Sequence, residues 1–373
     1  VNDDIGMKVM KKILNVMLLA AMSRRGYTAY GIFELRDRIV KDLLYNRQQT
    51  LMEKLRAYRK GFLSHTAKDY GITDENYRSF ISDFEYYKLY PINKKFGHLI
   101  DDKITLRLVL APFAEYLPRY YFHIVKPGLI NSLMDMDAVP EPDVRTIIDL
   151  LKCEGDLAVK MVSGEKGAGF YRITHREGNF FVNGRDISEN EMEIFLSRLE
   201  NYLVVEYLSA HPDISRIYGG SPNTLRVMMI NEEGRRPYVA NGLMRVGRNA
   251  TGAIEAITAN GGGIFAIVDI QSGRYHSAKR LENYHAVDCI FHPDTNEKVE
   301  GMLPRWDQIE AKLIEICEYL PQLVYMGFDV VITEDDFKIL EINSMQGVNF
   351  YQYYYPLLIG NPASSFYKAL LKR

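Results

Sequence analysis

Gly327-Phe328-Asp329-Val330-Val331, followed beyond Thr333-Glu334-Asp335-Asp336 by Ile339-Leu340-Glu341-Ile342-Asn343, decides how the rest of the chain is read. Val330, Val331 and Ile332 continue one apolar run, the four polar residues supply turn chemistry, and Phe337-Lys338-Ile339-Leu340 opens a second strand that pairs back on the first. Glu341 and Asn343 are two apart, so an extended strand points them to one face, and Asp329 can sit opposite them on the neighbouring strand. Two carboxylates and an amide oxygen suit Mg²⁺, a hard cation that keeps positions open for water and phosphate oxygens. Taken alone, however, an E-x-N of this kind is more commonly a pair of strands with solvated acidic ends.

The chain has 373 residues with 47% hydrophobic content, enough for two or three modules with ordinary cores. A formal net charge of -2 gives no global drive toward nucleic acid, so none is expected as a partner. Cys153, Cys289 and Cys317 are odd in number and widely spaced, which argues against a disulfide framework or a zinc site and fits a reducing cytoplasm. Residues 13–22 follow Lys8, Lys11 and Lys12 in the manner of a signal peptide, but Ser23-Arg24-Arg25 brings no small-residue cleavage pattern. The opening Val1 leaves a processed or truncated start open. No apolar run approaches the roughly 20 residues that cross a bilayer, so a cytoplasmic protein is expected, at most peripheral to the membrane.

The first hundred residues read as a separate helical layer, with Leu35, Ile39 and Leu43 and then Leu51 and Leu55 at helical spacing. Thr73 before Asp74 and Glu75 marks a helix start, and Pro91 ends the helix carrying Phe80, Ile81, Phe84 and Tyr87. Lys54, Arg56, Arg59 and Lys60 form a basic cluster, read as a solvated helix face or as a contact for an anionic lipid or lipid-linked substrate.

Past residue 156 the texture changes to short strands and tight turns. Leu157–Val162 and Phe170–Ile173 flank Ser163-Gly164-Glu165-Lys166-Gly167-Ala168-Gly169. Glycines let backbone N–H groups approach an anion closely, so Gly164, Gly167 and Gly169 are candidates for a phosphate cradle; a plain hairpin loop is the alternative. Lys160 projects to the side opposite Leu157, Val159 and Met161, where its charge reaches the same phosphates. Ser188-x-x-Glu191 is a capping box, Tyr202–Leu208 reads as a buried strand interrupted by Glu206, which either faces an adenine edge or ribose or, more commonly for such a residue, is a partnered structural glutamate, and further strands are expected at 224–230, 238–246 and 265–270 before a helix over 306–320.

A lysine strand, a glycine loop, an apolar strand ending in glutamate, arginine strands and D…E-x-N, in this order, resemble the ATP-grasp superfamily. Asn260-Gly261-Gly262-Gly263, Ala266-Ile267-Val268-Asp269 and the Gly273 turn resemble its branch associated with sugar transfer and surface polysaccharide operons. The resemblance implies an α+β fold in which two α+β lobes clamp ATP over 97–373 (97–208 and 209–373), preceded by a helical N-terminal region, 1–96, that lacks the family's usual βαβ pattern. It implies ATP contacts from Lys103, Lys160 and the glycine loop, adenine reading by Glu206 and the backbone of Leu208, a ribose contact from Asp213, and Mg²⁺ on Asp329, Glu341 and Asn343. Arg226 and Arg245 fall on strands where such enzymes stabilise the transferred phosphate, a task suited to a fixed fork of charged donors. A surface ion pair is the alternative for either arginine, and it is the reading taken for Arg248.

The function that the resemblance implies is a carboxylate–amine ligase acting through an acylphosphate, its carboxylate and amine substrates extending to a sugar acid or a lipid-linked glycan of cell-surface polysaccharide synthesis. An ATP-dependent phosphotransferase acting on a sugar hydroxyl is the alternative. A third reading is a scaffold that binds glycan or protein through Tyr351-Gln352-Tyr353-Tyr354-Tyr355, although packing against the loop after Gly347 accounts for most of these rings. Ser-His-Asp and Cys-His orders are absent from any recognisable motif, so a covalent enzyme intermediate is unsupported.

Overall fold

The computed structural model describes residues 22–46, 48–133, 139–163, 169–232, 236–252, 254–255, 257 and 260–372. The lysines at 8–12 and the apolar run at 13–21 lie outside them. The chain divides into two compact units, one of Val1–Lys95 with Met345–Arg373 and one of Phe96–Ser344.

The second unit holds two antiparallel sheets. The first contains β1 (Tyr120–Lys126), β2 (Leu129–Ser132), β3 (Asp156–Met161), β4 (Tyr171–Arg176), β5 (Asn179–Val182), β6 (Arg185–Ile187) and β7 (Tyr202–Glu206), in the order β2-β1-β7-β3-β4-β5-β6. Helices Val144–Glu154 and Glu189–Ser197 cover one face, where Ile147, Ile148, Leu151, Met192 and Leu196 pack on Leu157, Val159 and Val204. The Ser188–Glu191 capping box forms as expected and satisfies donors at the start of the second helix, which ends before Leu199. On the opposite face Tyr120, Ala158, Val162, Leu203 and Val205 form a smaller apolar cluster. Alternation thus assigns Lys160 to that face, and its ammonium lies 5.5 Å from the Tyr120 ring centroid.

The second sheet contains β8 (Thr224–Glu232), β9 (Arg236–Val246), β10 (Asn260–Asp269), β11 (Arg274–Glu282), β12 (His285–Asp288), β13 (Gly301–Met302), β14 (Tyr325–Ile332) and β15 (Phe337–Asn343). Its order is β12-β11-β10-β9-β8-β14-β15, with β13 on β11. Helix Trp306–Tyr319 packs Ile309, Leu313 and Ile316 against Leu225, Val227, Met229, Phe328 and Val330. Leu225, Val227, Met244, Val246, Phe328 and Val330 fill this core, so Thr224, Arg226, Leu243, Arg245 and Asp329 turn to the other face.

The β14–β15 hairpin is closed by Thr333, whose N–H donates to Asp336 O at 2.8 Å. A bulge follows: Asp329 pairs with Glu341, yet Val330 pairs with Ile339, leaving Leu340 unopposed. Ile339 and Ile342 both lie in the core, a spacing of three that a regular strand cannot achieve. The extra residue therefore carries Glu341 and Asn343 out of the apolar layer to the face of Asp329.

In the first unit, helices Ala29–Tyr45, Leu51–Arg59, Ser64–Asp69 and Asp83–Lys88 accompany Asn349–Gln352 and Ser364–Leu371. Met345–Arg373 thus group with the helical residues of this unit. Gln352 bonds both backbone groups of Ile81, accepting from its N–H at 2.8 Å and donating to its O at 2.9 Å. Tyr353 packs edge-on against Tyr70, in a cluster with Phe62 and Phe80, and Tyr351 is fully buried. Tyr351 and Tyr353 thus contribute to the packing of this unit, Tyr353 against Tyr70, Phe62 and Phe80, and do not form an exposed aromatic platform. The helix expected to include Phe80 and Ile81 starts later, because Ser82 caps it with Glu85. Thr73 closes a turn with Asn76 and does not start a long helix.

Candidate functional site

Seven of the residues singled out from sequence meet in the second unit. Asp329 is the hub. Arg226, its cross-strand partner on β8, donates through Nε and, at 2.7 Å, through Nη2 to the two carboxylate oxygens. Arg245 Nη2 reaches Asp329 Oδ2 at 2.8 Å. Burial would push the Asp329 carboxyl up, but the two guanidiniums outweigh it and hold the group well below the usual carboxylate range. Glu341, its partner across β15, moves the other way: burial first, and the Asp329 charge second, raise its carboxyl, with Lys103 opposing.

Lys103 is the first residue of helix Lys103–Val109, fixed there by Asp102, whose carboxylate accepts from Thr105 N at 2.9 Å. Its ammonium lies 3.8 Å from Glu341 Oε2 and donates to Val162 O at 3.4 Å. Lys160 is pushed down to about 7 by burial and then by the nearby Lys103 charge, while Glu341 pulls it back up. Asn343 Nδ2 donates to Gly327 O at 3.3 Å and contacts Glu341 Oε1 at 3.4 Å, so its carbonyl oxygen is the atom left to accept or ligate. Next along the chain, Ser344 donates through N and Oγ to Asp101, at 2.9 and 2.7 Å, tying the end of β15 to the residue two before Lys103.

The donor chemistry here, two carboxylates and an amide oxygen on one sheet face, fits a hard divalent cation. Burial first and the Asp329 charge second raise the Glu341 carboxyl, and a cation beside both carboxylates would offset these effects. Among the described residues no group of three or more His, Cys, Asp or Glu is placed to hold a metal, as expected of a set whose third member is an asparagine.

Other candidates are placed differently. The Glu206 carboxylate accepts from Arg119 N at 3.0 Å and lies 3.6 Å from Arg119 Nη2, on the sheet face opposite Lys160. The Glu206 N–H is taken as well, donating to Arg119 O at 2.9 Å, so Glu206 is held by Arg119 through both its carboxylate and its backbone. Leu208 is buried in the wall of a cavity of about 430 Å³, beside Tyr207, Ala210, Pro212, Ser221 and Arg172. Arg172 stacks on Tyr207 at 4.2 Å and bonds Asp156 at 2.8 Å. Asp213 sits outside this wall, largely exposed, with His211 at 3.6 Å. Gly164 and Gly167 lie outside the described residues. Gly169 has φ +70°, a backbone conformation that favours glycine; a Cβ there would also meet the Tyr202 hydroxyl at 2.7 Å and the Met161 side chain at 2.8 Å, which would have to shift. Arg248 approaches Asp294 at 4.0 Å, as an ion-pair reading anticipated.

Two residues of this face were not found from sequence. Thr224 Oγ1 accepts from Arg245 Nε at 2.9 Å and Nη2 at 2.6 Å and donates to Glu255 Oε1 at 2.7 Å; Glu255 Oε1 also lies 3.2 Å from Arg245 Nη2. They clamp the guanidinium in place. Glu255 also raises the Tyr207 hydroxyl, after burial and Asp156, so its charge is felt at the cavity wall. A carboxylate within the loop before β10 carries no pattern that would single it out.

A family model described as sugar-transfer associated ATP-grasp matches residues 83–358. No curated protein matches the chain. Among solved structures it is similar to the ATP-grasp ligase PsnB complexed with minimal precursor, Mg and ADP, at 15% identity over 75% of this chain and 61% of that one, with a TM-score of 0.37. It is also similar to an L-amino acid ligase from Bacillus licheniformis, at 10% identity, 78% and 54% coverage and a TM-score of 0.39. A third is D-alanyl-alanine synthetase A from Vibrio cholerae O1 biovar eltor str. N16961, at 12% identity, 74% and 65% coverage and a TM-score of 0.41. The chain spans less than two thirds of the length of each.

Proposed function

Because the chain belongs to the sugar-transfer associated ATP-grasp family, we propose that it is an ATP- and Mg²⁺-dependent, ADP-forming ligase joining a carboxylate to an amine. The substrate pair we assign is an amino acid or amine and a sugar acid or related cell-surface polysaccharide precursor. The observation that carries this reading is the meeting of four cationic side chains, Lys103, Lys160, Arg226 and Arg245, with the Asp329–Glu341–Asn343 oxygen set on facing surfaces of two sheets.

A carboxylate attacking the γ-phosphate of ATP brings two anions together, so the barrier falls where fixed positive charge awaits the charge that develops. Asp329, Glu341 and Asn343 would hold Mg²⁺, which when bound neutralises phosphate oxygens. Lys160, on β3 beside the glycine loop, orients the nucleotide phosphates, with Lys103 next to it. Arg226 and Arg245 exchange their hold on Asp329 for the phosphoryl oxygens or the substrate carboxylate, a task that lysine's single ammonium performs less well. Thr224 and Glu255 keep Arg245 aimed while it does so. In the first step the carboxylate oxygen bonds to the γ-phosphorus and the bond to the β,γ-bridging oxygen breaks, leaving ADP. In the second the amine nitrogen bonds to the acyl carbon, phosphate departs with the C–O electrons, and the nitrogen loses a proton. The adenine would lie along the end of β7, read by the backbone of Leu208, with Asp213 toward the ribose.

We place the reaction in the cytoplasm, where ATP is supplied. Among the described residues no helix is long and apolar enough to cross a membrane. The deciding experiment screens amino acids and amines against sugar acids, following ADP and phosphate release with mass detection of product. Amine-dependent release of both, with an amide in the product, is expected. A stable phosphorylated product formed without amine would replace this reading with a phosphotransferase.

A further inference from the structure

The helical unit carries an outer face that its own fold does not explain. In helix Ala29–Tyr45 the inward positions are Ile32, Leu35 and Asp42, while Phe33 (40% exposed), Val40 and Leu44 (60%) recur along the solvent side. In helix Leu51–Arg59 the inward positions are Lys54 and Ala57, while Leu51 (65%), Met52 (60%) and Leu55 stand outward. The two helices are joined end to side by Lys54 Nζ, which donates to Asp42 O and Asn46 O, and by Tyr58, which donates to Asp42 Oδ2. Six exposed apolar side chains on two successive helices are more than the single, scattered exposures of an ordinary surface.

Charge identifies what covers it. The side chains not buried on these helices include Arg36, Lys41, Arg56 and Arg59, against three carboxylates, Glu34, Asp37 and Glu53; Arg38 is turned away, over the Tyr87 ring. Asp37 is held by Arg36 at 2.8 Å, and Glu53 is turned back onto Thr50 N at 2.7 Å. Arg24 and Arg25, both exposed, precede the first helix. A cationic excess here stands out in a chain whose formal net charge is -2. Cations interleaved with aliphatic and aromatic side chains suit the headgroup boundary of a bilayer, where long basic side chains reach phosphate while the apolar ones enter the acyl region. The core of a contact between two copies, by contrast, is depleted of charge. From these observations we infer that the outer face of helices Ala29–Tyr45 and Leu51–Arg59 docks the protein on an anionic phospholipid surface. The inference stands apart from the reaction proposed above, since none of these residues belongs to that site.

Cosedimentation of the full chain with phosphatidylcholine vesicles, with and without about one third phosphatidylglycerol, tests it. The wild-type chain is expected to pellet with the anionic vesicles and to be released by high salt. Leu51→Ser/Met52→Ser should abolish pelleting, and Lys41→Glu/Arg56→Glu/Arg59→Glu should weaken it on the order of a hundredfold or more, at about tenfold or less per cation. Circular dichroism and thermal melting of both variants confirm an intact fold, which is expected because every altered side chain faces solvent. Failure of the wild-type chain to pellet, or equal pelleting by folded variants, overturns the inference. So does a concentration-dependent dimer that Leu51→Ser/Met52→Ser dissolves without any vesicle binding, since the face then belongs to a second copy.

Discussion

Arg226 and Asp329 are direct partners on adjacent antiparallel strands, and Arg245 closes on the same carboxylate from the next strand over. The Asp329 side chain is only 4% exposed, so its charge is tolerable because two guanidiniums compensate it. Its carboxyl is held below the ordinary 3.8, so the folded chain binds fewer protons than the unfolded one as pH falls through that value. The stabilisation is therefore fully present above about pH 5 and is lost progressively in acid. Asp329→Asn should cost about 3–5 kcal/mol at neutral pH and flatten the acid limb of the stability profile. Urea denaturation at a series of pH values measures both; an unchanged acid limb would mean that this ion pair does not govern acid stability.

Glu341 presents the opposite case. Its carboxyl is raised above the ordinary 4.5 by burial and by Asp329, so ionising it costs the folded chain stability that grows as pH rises past that value. Glu341→Gln should raise the melting temperature at pH 7 without ligands, while lowering Mg²⁺-dependent ATP turnover by about 10²–10³-fold or more. A purified variant that keeps full turnover would remove Glu341 from the metal set.

Lys160 combines a stability effect with a binding effect. Its ammonium is pushed down to about 7, so between that pH and its ordinary 10.5 the folded chain holds fewer protons than the unfolded chain. Stability from this site thus rises with pH through that window, and below about pH 7 the buried charge is a full burden. Lys160→Met should raise the melting temperature at pH 6.5, by about 2–4 °C for each kcal/mol relieved. It should also weaken nucleotide binding by about 1–3 kcal/mol, the cost of losing a charge-assisted hydrogen bond. Calorimetry with ATP is the check, and unchanged affinity would take Lys160 out of the nucleotide site.

The charged hub was legible because its strands obey a period of two and its residue types have few alternative uses in that order. What sequence could not specify is the bulge at Leu340: parity counted from Ile339 alone would have sent Glu341 and Asn343 into the apolar layer and left Ile342 outside it. The hairpin of β1 and β2 was passed over although Tyr120-Tyr121-Phe122-His123-Ile124-Val125 runs into Pro127-Gly128, a turn signal of ordinary strength. Glu206 interrupts an apolar strand as a ligand-reading residue would, and what makes it a partner of Arg119 is a contact 87 positions away. Among the helices, Leu35, Ile39, Leu43, Leu51 and Leu55 were correctly read as helical, but spacing does not say which stripe faces inward. Leu43, Leu51 and Leu55 are exposed, and an aspartate and a lysine lie beneath them.

That lysine, Lys54, is the clearest case of tertiary context overriding pattern. Grouped by sequence with Arg56, Arg59 and Lys60, it is in fact 5% exposed, and its ammonium donates to Asp42 O at 2.7 Å, Leu43 O at 3.2 Å and Asn46 O at 2.6 Å. These are carbonyls at the end of helix Ala29–Tyr45, where no further turn supplies a donor and a cation also meets the negative end of the helix dipole. Asp42 itself accepts from Ser64 N at 3.0 Å, Ser64 Oγ at 2.8 Å and Tyr58 at 2.7 Å, so one buried polar cluster joins three helices. Lys54→Met keeps the length of the side chain and removes only its donors, stranding carbonyls in the interior, and should cost about 2–4 kcal/mol. Arg56→Met, two residues on and exposed, should stay within about 0.5 kcal/mol of wild type. Urea denaturation of both variants decides it: equal midpoints would mean that the first helix ends without help from Lys54, and that the cluster holding the helical unit together lies elsewhere.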